Sequence, residues 1–280
     1  MEYMQLNNGI KIPALGYGLF MVDPLKSEEY VSLAIETGYR LIDTAQIYNN
    51  EEGVGNAVKK SGIKRDEFFI VSKIWHTNAG FDEALKSIDL SLKKLQTDYI
   101  DLMLIHMPYN DYYSIYKALE TAYKKGIVKS IGISNFDTGR YIDIIYHSEI
   151  KPVINQVETH VFNQQKDLQK AMQEYGTLIM AWAPFAEGKN DFFNNSILKS
   201  IGEKYNKSAA QIALRFLIQS GIIAIPKTVN IKRMKENFNV FDFILSCEDM
   251  KLINSLDTKK AVIGDFSDIE YNKYVLEIKM

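Results

Sequence analysis

Short apolar runs alternate with amphipathic stretches along nearly the whole chain. Eight of the apolar runs predict β-strands, at Ala14–Tyr17, Leu41–Asp43, Phe68–Ser72, Ile100–Ile105, Ser130–Ile133, Val153–Gln156, Leu178–Ala181 and Ile222–Ile225. Most of these runs are apolar at almost every position. That pattern is typical of parallel strands that are buried on both faces.

The stretches between the strands carry apolar residues at helical spacing. They predict helices at Glu28–Glu36, Glu51–Lys60, Glu83–Lys94, Ser114–Lys125, Gly139–Tyr146, Gln165–Tyr175, Ser208–Ser220 and Lys232–Asn237. Five of them are followed by a glycine, as is common where a helix ends on a left-handed residue: Gly38, Gly62, Gly126, Gly176 and Gly221. An Asn-Gly turn between Tyr3–Leu6 and Ile10–Ile12 predicts an N-terminal β-hairpin. From about Cys247 the chain is helical in pattern and then polar, and it predicts no particular element.

Eight β-then-α units without a linker or a break in composition predict an α/β fold of one domain, a (β/α)8 TIM barrel over residues 1–280. We expect the hairpin to cap the bottom of this barrel. The alternative is an open doubly wound sheet, which a Gly-rich phosphate loop after a strand would favour. Gly16-Tyr17-Gly18 and Gly53-Val54-Gly55 lack the third glycine of such a loop, because Met21 and Val58 occupy its position. The closed barrel is therefore the prediction.

Composition and charge narrow the class of protein further. The chain is 46% hydrophobic and 24% charged, as globular proteins are, and its net charge of −2 gives no sign of a nucleic-acid partner. No apolar stretch approaches the ~18 residues of a membrane span, and the N-terminus lacks a signal-peptide pattern. We therefore expect a cytoplasmic monomer without a membrane partner. The single cysteine, Cys247, excludes an internal disulfide, and the four histidines lack ligand spacing, so no metal site is expected.

Ionisable residues fall at the ends of three consecutive predicted strands. Asp43 ends the second strand, Lys73 follows the third and His106 follows the fourth. In a (β/α)8 barrel these strand ends share the face that carries active sites. Tyr48 lies five residues beyond Asp43, and we expect the next helix to start at about Asn49, with a capping box completed three residues later. Each residue taken singly is more often a loop, structural or solvated side chain, and only their shared position makes them candidates.

These four side chains suit proton transfer to a carbonyl oxygen. A tyrosine hydroxyl, with an ordinary pKa of about 10, is a weak acid at neutral pH. We expect the ammonium of Lys73 to lower the pKa of Tyr48, and Asp43 to pair with Lys73 and offset its burial. His106 would hydrogen-bond the substrate oxygen or relay a proton to Tyr48. Since no side chain donates hydride, such chemistry requires a nicotinamide cofactor.

At these residues the sequence resembles the aldo-keto reductases, in particular their bacterial aldehyde and 2,5-diketogluconate reductase branch. Six segments carry the resemblance in the family's order: GYRLIDTAQIYNNEEGVG (38–55), VSKIW (71–75), DYIDLMLIHMP (98–108), IGISNF (131–136), INQVETH (154–160) and IPKTVNIKRMKENFNVFDF (225–243). The resemblance implies a catalytic tetrad of Asp43, Tyr48, Lys73 and His106. It also implies reduction of carbonyl compounds with NADPH.

The resemblance further implies where the cofactor binds. Ser134, Asn135 and Gln156 would hydrogen-bond the nicotinamide carboxamide, and Trp182 would stack on the nicotinamide ring. The positions that match the family's adenosine 2′-phosphate and adenine contacts are Lys227, Thr228, Arg233, Glu236 and Asn237. Two cations and a hydroxyl suit a phosphate better than a ribose hydroxyl, which favours NADPH over NADH. Taken alone, the basic stretch would be a solvated helix face.

Departures from the family pattern concern the substrate pocket. Phe20, Met107 and Trp75 are expected to line its apolar wall, with Met107 standing where the family often has tryptophan. The short segment after the seventh strand and the short C-terminus suggest an open, permissive pocket. The function expected is broad reduction of aldehydes and ketones, methylglyoxal or keto-sugars among them. The alternative is a nicotinamide-binding redox sensor or regulatory subunit with slow turnover, resembling the potassium-channel β-subunits, which keep the tetrad too.

Overall fold

The computed structural model describes residues 1–279 and contains a parallel eight-stranded barrel. An antiparallel hairpin of β1 (Tyr3–Gln5) and β2 (Lys11–Pro13) precedes it. The barrel strands are β3 (Gly16–Gly18), β4 (Leu41–Asp43), β5 (Phe69–Ile74), β6 (Leu102–Ile105), β7 (Ile131–Ser134), β8 (Ile154–Glu158), β9 (Leu178–Trp182) and β10 (Ile223–Ala224). Each strand pairs with the next in sequence. A parallel bridge between Leu15 and Ala224 joins the last strand to the first and closes the barrel.

Helices surround the barrel and fill the connections between strands. Their bounds are α1 (Ser27–Thr37), α2 (Glu51–Lys60), α3 (Phe81–Leu95), α4 (Tyr112–Lys124), α5 (Thr138–His147), α6 (Lys166–Gln173), α7 (Ser196–Tyr205), α8 (Ala209–Gln219), α9 (Ile231–Phe238), α10 (Cys247–Asn254) and α11 (Ile269–Glu277). The predicted (β/α)8 barrel is confirmed. The five glycines predicted to end helices all have positive φ. Helix α7 was missed, although Asn195 caps it by accepting hydrogen bonds from two of its backbone amides.

The hairpin caps the end of the barrel where the strands begin, as predicted. The Asn7 side-chain amide donates to the carbonyl of Pro152 just before β8, and that of Asn8 donates to the carbonyl of Lys129 just before β7. Leu6 and Ile12 extend the apolar cluster inside the barrel, so the hairpin acts as its floor. The opposite end of the barrel, where the strands end, is not covered by the hairpin. We call this end the barrel mouth.

Strand alternation decides which side chains point into the barrel. Phe69 and Val71 of β5 belong to the inner apolar cluster, whereas Ile70 and Ile74 belong to the cluster between strands and helices. Because side chains alternate along a strand, Lys73 lies on the inner face. The prediction placed Lys73 just after its strand, but β5 continues to Ile74, and this carries the ammonium inside the barrel.

The bounds of α2 match the predicted helix Glu51–Lys60, but its capping differs from the sequence prediction. The helix begins at Glu51, and the preceding Asn50 makes no capping hydrogen bond, so the expected capping box is absent. The Asn50 side chain instead contacts Thr44 at 2.5 Å and donates to the carbonyl of Leu19 at 3.1 Å. The Asn50 side chain therefore bonds to residues outside the helix and does not cap the first turn of α2.

Within residues 1–279, no helix is both long and apolar enough to cross a membrane.

Candidate active site

A buried ion pair lies at the centre of the barrel mouth. The Lys73 Nζ is 2.6 Å from the Asp43 Oδ1 and 2.8 Å from the carbonyl oxygen of Thr44, which it also donates to. The side-chain amide of Gln156 donates to the other carboxylate oxygen at 2.7 Å. Burial raises the pKa of Asp43 and lowers that of Lys73, while the attraction between them acts in the opposite direction on each. The hydrogen bonds with Thr44 and Gln156 add to this attraction, so the charged forms of Asp43 and Lys73 are favoured.

Tyr48 and His106 face each other above this pair. The Tyr48 hydroxyl oxygen is 3.5 Å from the His106 Nε2, and the Lys73 Nζ is 5.0 Å from the centre of the Tyr48 ring. Burial, followed by the charges of Lys73 and His76, lowers the pKa of His106 well below its usual range. The ring is therefore neutral at pH 7, and its Nδ1 has no partner among the described residues. All four predicted tetrad residues meet at one place.

The expected shift in the pKa of Tyr48 was wrong in direction. Desolvation of the hydroxyl and then the negative charge of Asp43 raise its pKa well above the usual value. The ammonium of Lys73 is held by Asp43 and Thr44, and no hydrogen bond connects it to the Tyr48 hydroxyl. Tyr48 is consequently a neutral phenol at physiological pH, with its proton available to a neighbouring oxygen.

Two polar residues that the sequence did not single out hold the Tyr48 loop in place. Tyr48 ends a short 3-10 turn that begins at Gln46. The Gln46 side chain donates to the carbonyl of Ser87 in α3 at 3.1 Å and accepts from the amide N–H of Trp75 at 3.1 Å. Together with the Asn50 contacts, this ties the turn to α3, to the residue that follows β5 and to the loop after β3. No local pattern signals these contacts, because every partner except Thr44 lies far away in sequence.

A second polar network lies beside the tetrad and contains the predicted carboxamide-binding residues. The Ser134 hydroxyl donates to the carbonyl of Gln156 at 2.8 Å. The Asn135 side chain donates to the carbonyl of His106 at 3.0 Å and accepts from the Trp182 indole N–H at 2.9 Å. Asn135 has a φ of +65°, which asparagine tolerates better than most residues. The four residues predicted to surround a nicotinamide are thus neighbours, and two of them contact the tetrad.

The predicted phosphate-binding residues lie after β10 and at the start of α9. Lys227 and Arg233 are exposed, and neither has a carboxylate within 4.0 Å in the part of the chain described. The carbonyl of Thr228 accepts from the Tyr17 hydroxyl at 2.7 Å, which fixes the loop against β3. Two unpaired cations and a hydroxyl beside a helix N-terminus fit a phosphate group. Glu236 accepts a short hydrogen bond from Ser208 in the loop before α8, and Asn237 is buried.

The three predicted pocket residues all border the tetrad. The Phe20 ring lies 5.4 Å from that of Tyr48 and is 53% exposed. The Trp75 ring lies 5.0 Å from that of His106, edge to face, and the Met107 sulfur is 3.3 Å from the Asn135 amide. An apolar rim therefore surrounds the two groups that can hydrogen-bond a substrate oxygen.

The expectation of an open pocket is wrong on one side, because the C-terminal part of the chain returns across the mouth. We name residues 262–278 the C-terminal strap. The Ile278 carbonyl accepts from the Trp75 indole at 3.1 Å, and the Val275 carbonyl is 3.3 Å from the His76 ring. In its middle, the Asn272 side chain accepts from the Tyr109 hydroxyl at 2.5 Å. No sequence pattern indicated where this polar tail would go.

Among the residues described, no cluster of three or more His, Cys, Asp or Glu side chains could hold a metal ion.

Comparisons with known proteins identify the family of this chain. Residues 14–258 match the model of the aldo/keto reductase family. The chain is 43% identical over 263 residues to glyoxal reductase of Bacillus subtilis (93% of this chain, 95% of the relative), and 39% identical over 265 residues to a methylglyoxal reductase of Yersinia pestis (94% and 95%). A Bombyx mori aldo-keto reductase in complex with NADP is similar in structure, with a TM-score of 0.89, 34% identity and 96% of each chain covered. The chain belongs to the aldo/keto reductase family of oxidoreductases.

Proposed function

We propose that the protein is an NADPH-dependent reductase of aldehydes and ketones, with Tyr48 as the general acid. The observation that carries the proposal is the 3.5 Å gap between the Tyr48 hydroxyl and the His106 Nε2, placed directly above the buried Asp43–Lys73 pair. A carbonyl oxygen placed beside these two atoms can lie within hydrogen-bond distance of both. The apolar rim around it would hold the rest of a small substrate.

The roles of the chain's own residues follow from their protonation states. His106 is neutral and positions the substrate oxygen through a hydrogen bond. Tyr48 donates its proton to that oxygen as negative charge develops there. Asp43 and Lys73 place an ammonium 5.0 Å from the Tyr48 ring, where it stabilises the tyrosinate left after proton transfer. In the overall reduction, the carbonyl carbon gains a hydride and the carbonyl oxygen gains the proton of Tyr48, which gives an alcohol.

A bound nicotinamide cofactor would supply the hydride. Ser134, Asn135, Gln156 and Trp182 would hold its nicotinamide end. Lys227, Thr228 and Arg233 would hold a 2′-phosphate, with Glu236 and Asn237 near the adenine. The unpaired side chains of Lys227 and Arg233 support NADPH rather than NADH, because a ribose hydroxyl offers them no charge. The names of the two bacterial relatives favour small 2-oxoaldehydes such as glyoxal and methylglyoxal as substrates.

The test is optical measurement of NADPH consumption with a panel of aldehydes, glyoxal, methylglyoxal, diketones and keto-sugars, with NADH in parallel. Tyr48→Phe should lower turnover by about 10²–10⁴-fold, as loss of a general acid does, and should leave NADPH affinity nearly unchanged. Tyr146→Phe is the matched control, since Tyr146 is 74% exposed and far from the mouth. Wild-type turnover in Tyr48→Phe would refute the assignment. Tight NADPH binding without reduction of any carbonyl would point instead to a sensor or regulatory subunit.

A further inference from the structure

Glu158 is a buried carboxylate at the barrel mouth that the reaction described above does not use. It ends β8, is 3% exposed, and pairs in register with Trp182 at the end of β9. Ile154 and Gln156 of the same strand point into the barrel, and alternation places Glu158 on the same face. Burial of a carboxylate without hydrogen-bond partners would destabilise the fold. The groups that bond to Glu158 therefore indicate its structural role.

Its partners are three consecutive backbone amides of the C-terminal strap. The Oε1 accepts from Val262 at 2.6 Å, and the Oε2 accepts from Gly264 at 2.8 Å. The amide of Ile263 lies between them, 3.3 Å and 3.2 Å from the two oxygens. More than 100 residues of chain separate Glu158 from these amides. The carboxylate thus holds the strap where it first reaches the mouth.

His160 completes the arrangement. Its Nε2 is 3.0 Å from the Glu158 Oε1, and its Nδ1 accepts from the amide of Phe162 at 3.2 Å. An acceptor role for Nδ1 places the proton of the neutral ring on Nε2, which therefore donates to Glu158. Burial acts to raise the pKa of Glu158, but the hydrogen bonds from His160, Gly264 and Val262 outweigh it and lower the pKa. Glu158 is accordingly a carboxylate that accepts four hydrogen bonds.

The held strap lies directly against the residue predicted to stack on the nicotinamide. A Cβ built on Gly264 would be 3.1 Å from the Trp182 ring and 2.8 Å from the Tyr271 hydroxyl oxygen. Only glycine lets the backbone approach the indole this closely. From here the strap crosses to Trp75, on the opposite side of the barrel. One segment therefore touches both tryptophans of the chain and spans the space between them.

We infer that Glu158 is a positioning residue: it clamps the C-terminal strap across the barrel mouth, so that the strap forms a wall of the substrate site. The inference rests on the proposed function for its effect on substrate, although the clamp itself does not depend on turnover. Since Glu158 reaches the reacting atoms only through the strap, its loss should weaken substrate binding more than it slows the chemical step.

The test compares Glu158→Gln with wild type by hydrogen exchange and tryptophan emission. Glutamine offers one acceptor oxygen and turns an N–H group toward the strap amides, so amides 262–264 should exchange at least ~10-fold faster. Because Trp75 and Trp182 are the only tryptophans, a red shift in emission reports on the strap directly. With 4-nitrobenzaldehyde as the probe, KM should rise at least ~3-fold while kcat and NADPH affinity change less.

Two further variants keep the outcome decisive. Glu120→Gln is the matched control, because Glu120 is also a buried carboxylate that binds backbone amides, but at the barrel bottom. It accepts hydrogen bonds from the amides of Glu149 at 2.6 Å and Ile150 at 2.9 Å. Gly264→Ala leaves Glu158 intact but forces the strap away from Trp182, and should reproduce the red shift and the higher KM even if Glu158→Gln does not fold. Unchanged exchange and emission in Glu158→Gln, or the same changes in Glu120→Gln, would overturn the clamp.

The kinetic outcome separates the two proposals. Faster exchange in Glu158→Gln with an unchanged KM would overturn the role of the strap as a substrate wall. If the wild-type protein reduces no carbonyl, the proposed function is refuted but the clamp is not. Hydrogen exchange and tryptophan emission would still decide whether Glu158 holds the strap.

Discussion

Replacement of Lys73 by methionine should be among the most destabilising single changes in this protein. The side chains of Lys73 and Asp43 are 0% and 4% exposed, and they lie 2.6 Å apart. Without the ammonium, the carboxylate would keep one hydrogen bond, from Gln156. Removal of one partner from a buried pair leaves an uncompensated charge and typically costs about 3–5 kcal/mol. Such a loss is a large fraction of the roughly 5–15 kcal/mol by which proteins are stable.

The assay is equilibrium unfolding in urea followed by far-UV circular dichroism. Two comparisons isolate the buried charge. Lys86→Met removes an exposed partner of Glu83 and should change the midpoint little. Adding Asp43→Asn to Lys73→Met removes the orphaned charge and should recover most of the lost stability, although activity stays lost. A Lys73→Met variant no less stable than Lys86→Met would refute this account.

The pH dependence of the Lys73→Met defect gives an independent check. Burial raises the pKa of Asp43, and without Lys73 the main opposing attraction is gone. A carboxyl whose pKa is higher in the folded than in the unfolded state stabilises the fold at low pH, and this contribution is lost as pH rises through the folded value. The deficit of Lys73→Met should therefore be greatest at pH 8 and shrink toward pH 5. A deficit that does not depend on pH would contradict burial of an unpaired charge.

Three further outcomes are expected. Arg233→Gln should raise the Kd for NADPH by about 10–100-fold, the effect of a lost charged hydrogen bond, and leave that for NADH unchanged in fluorescence titrations; equal losses would argue against a phosphate contact. Gly132→Ala should lower the free energy of unfolding by about 1–3 kcal/mol, because its Cβ would lie 2.6 Å from a neighbouring carbonyl oxygen, whereas Gly139→Ala should not. The hydrogen bonds to Glu158 lower its pKa in the folded protein. They stabilise the strap fully at pH values above the ordinary pKa of glutamate, and this stabilisation is lost as pH falls through the lower pKa of the folded state. Wild-type tryptophan emission should shift red over that acid range, and Glu158→Gln should show no such step.

The barrel and the tetrad could be predicted from the sequence because both depend on short-range regularities. Apolar runs and helical spacing place the strands within a few residues of their observed ends. Because parallel strands end at the same face of the barrel, Asp43, Lys73 and His106 come to one mouth. The shift of Lys73 from a loop to the inner face of β5 is an error of two residues at a strand end, and it moves the side chain from the connection after the strand to the inside of the barrel.

Contacts between distant segments could not be predicted in this way. Gln46 and Asn50 gave no signal of their own, since what matters is which backbone groups the folded mouth brings within hydrogen-bond distance. The polar C-terminal tail likewise has no pattern that points to Glu158, more than 100 residues earlier.

The pKa of Tyr48 shows the physical difference most clearly. From the sequence, a neighbouring lysine was enough to expect a lower pKa. In the fold, Lys73 is committed to Asp43 and Thr44, and desolvation together with the negative charge of Asp43 raises the pKa instead. The sequence by itself determined which groups come to the mouth, because that follows from periodicity along the chain. The tertiary structure alone decided their protonation and their cover, because burial, charge and long-range hydrogen bonds depend on everything packed around them.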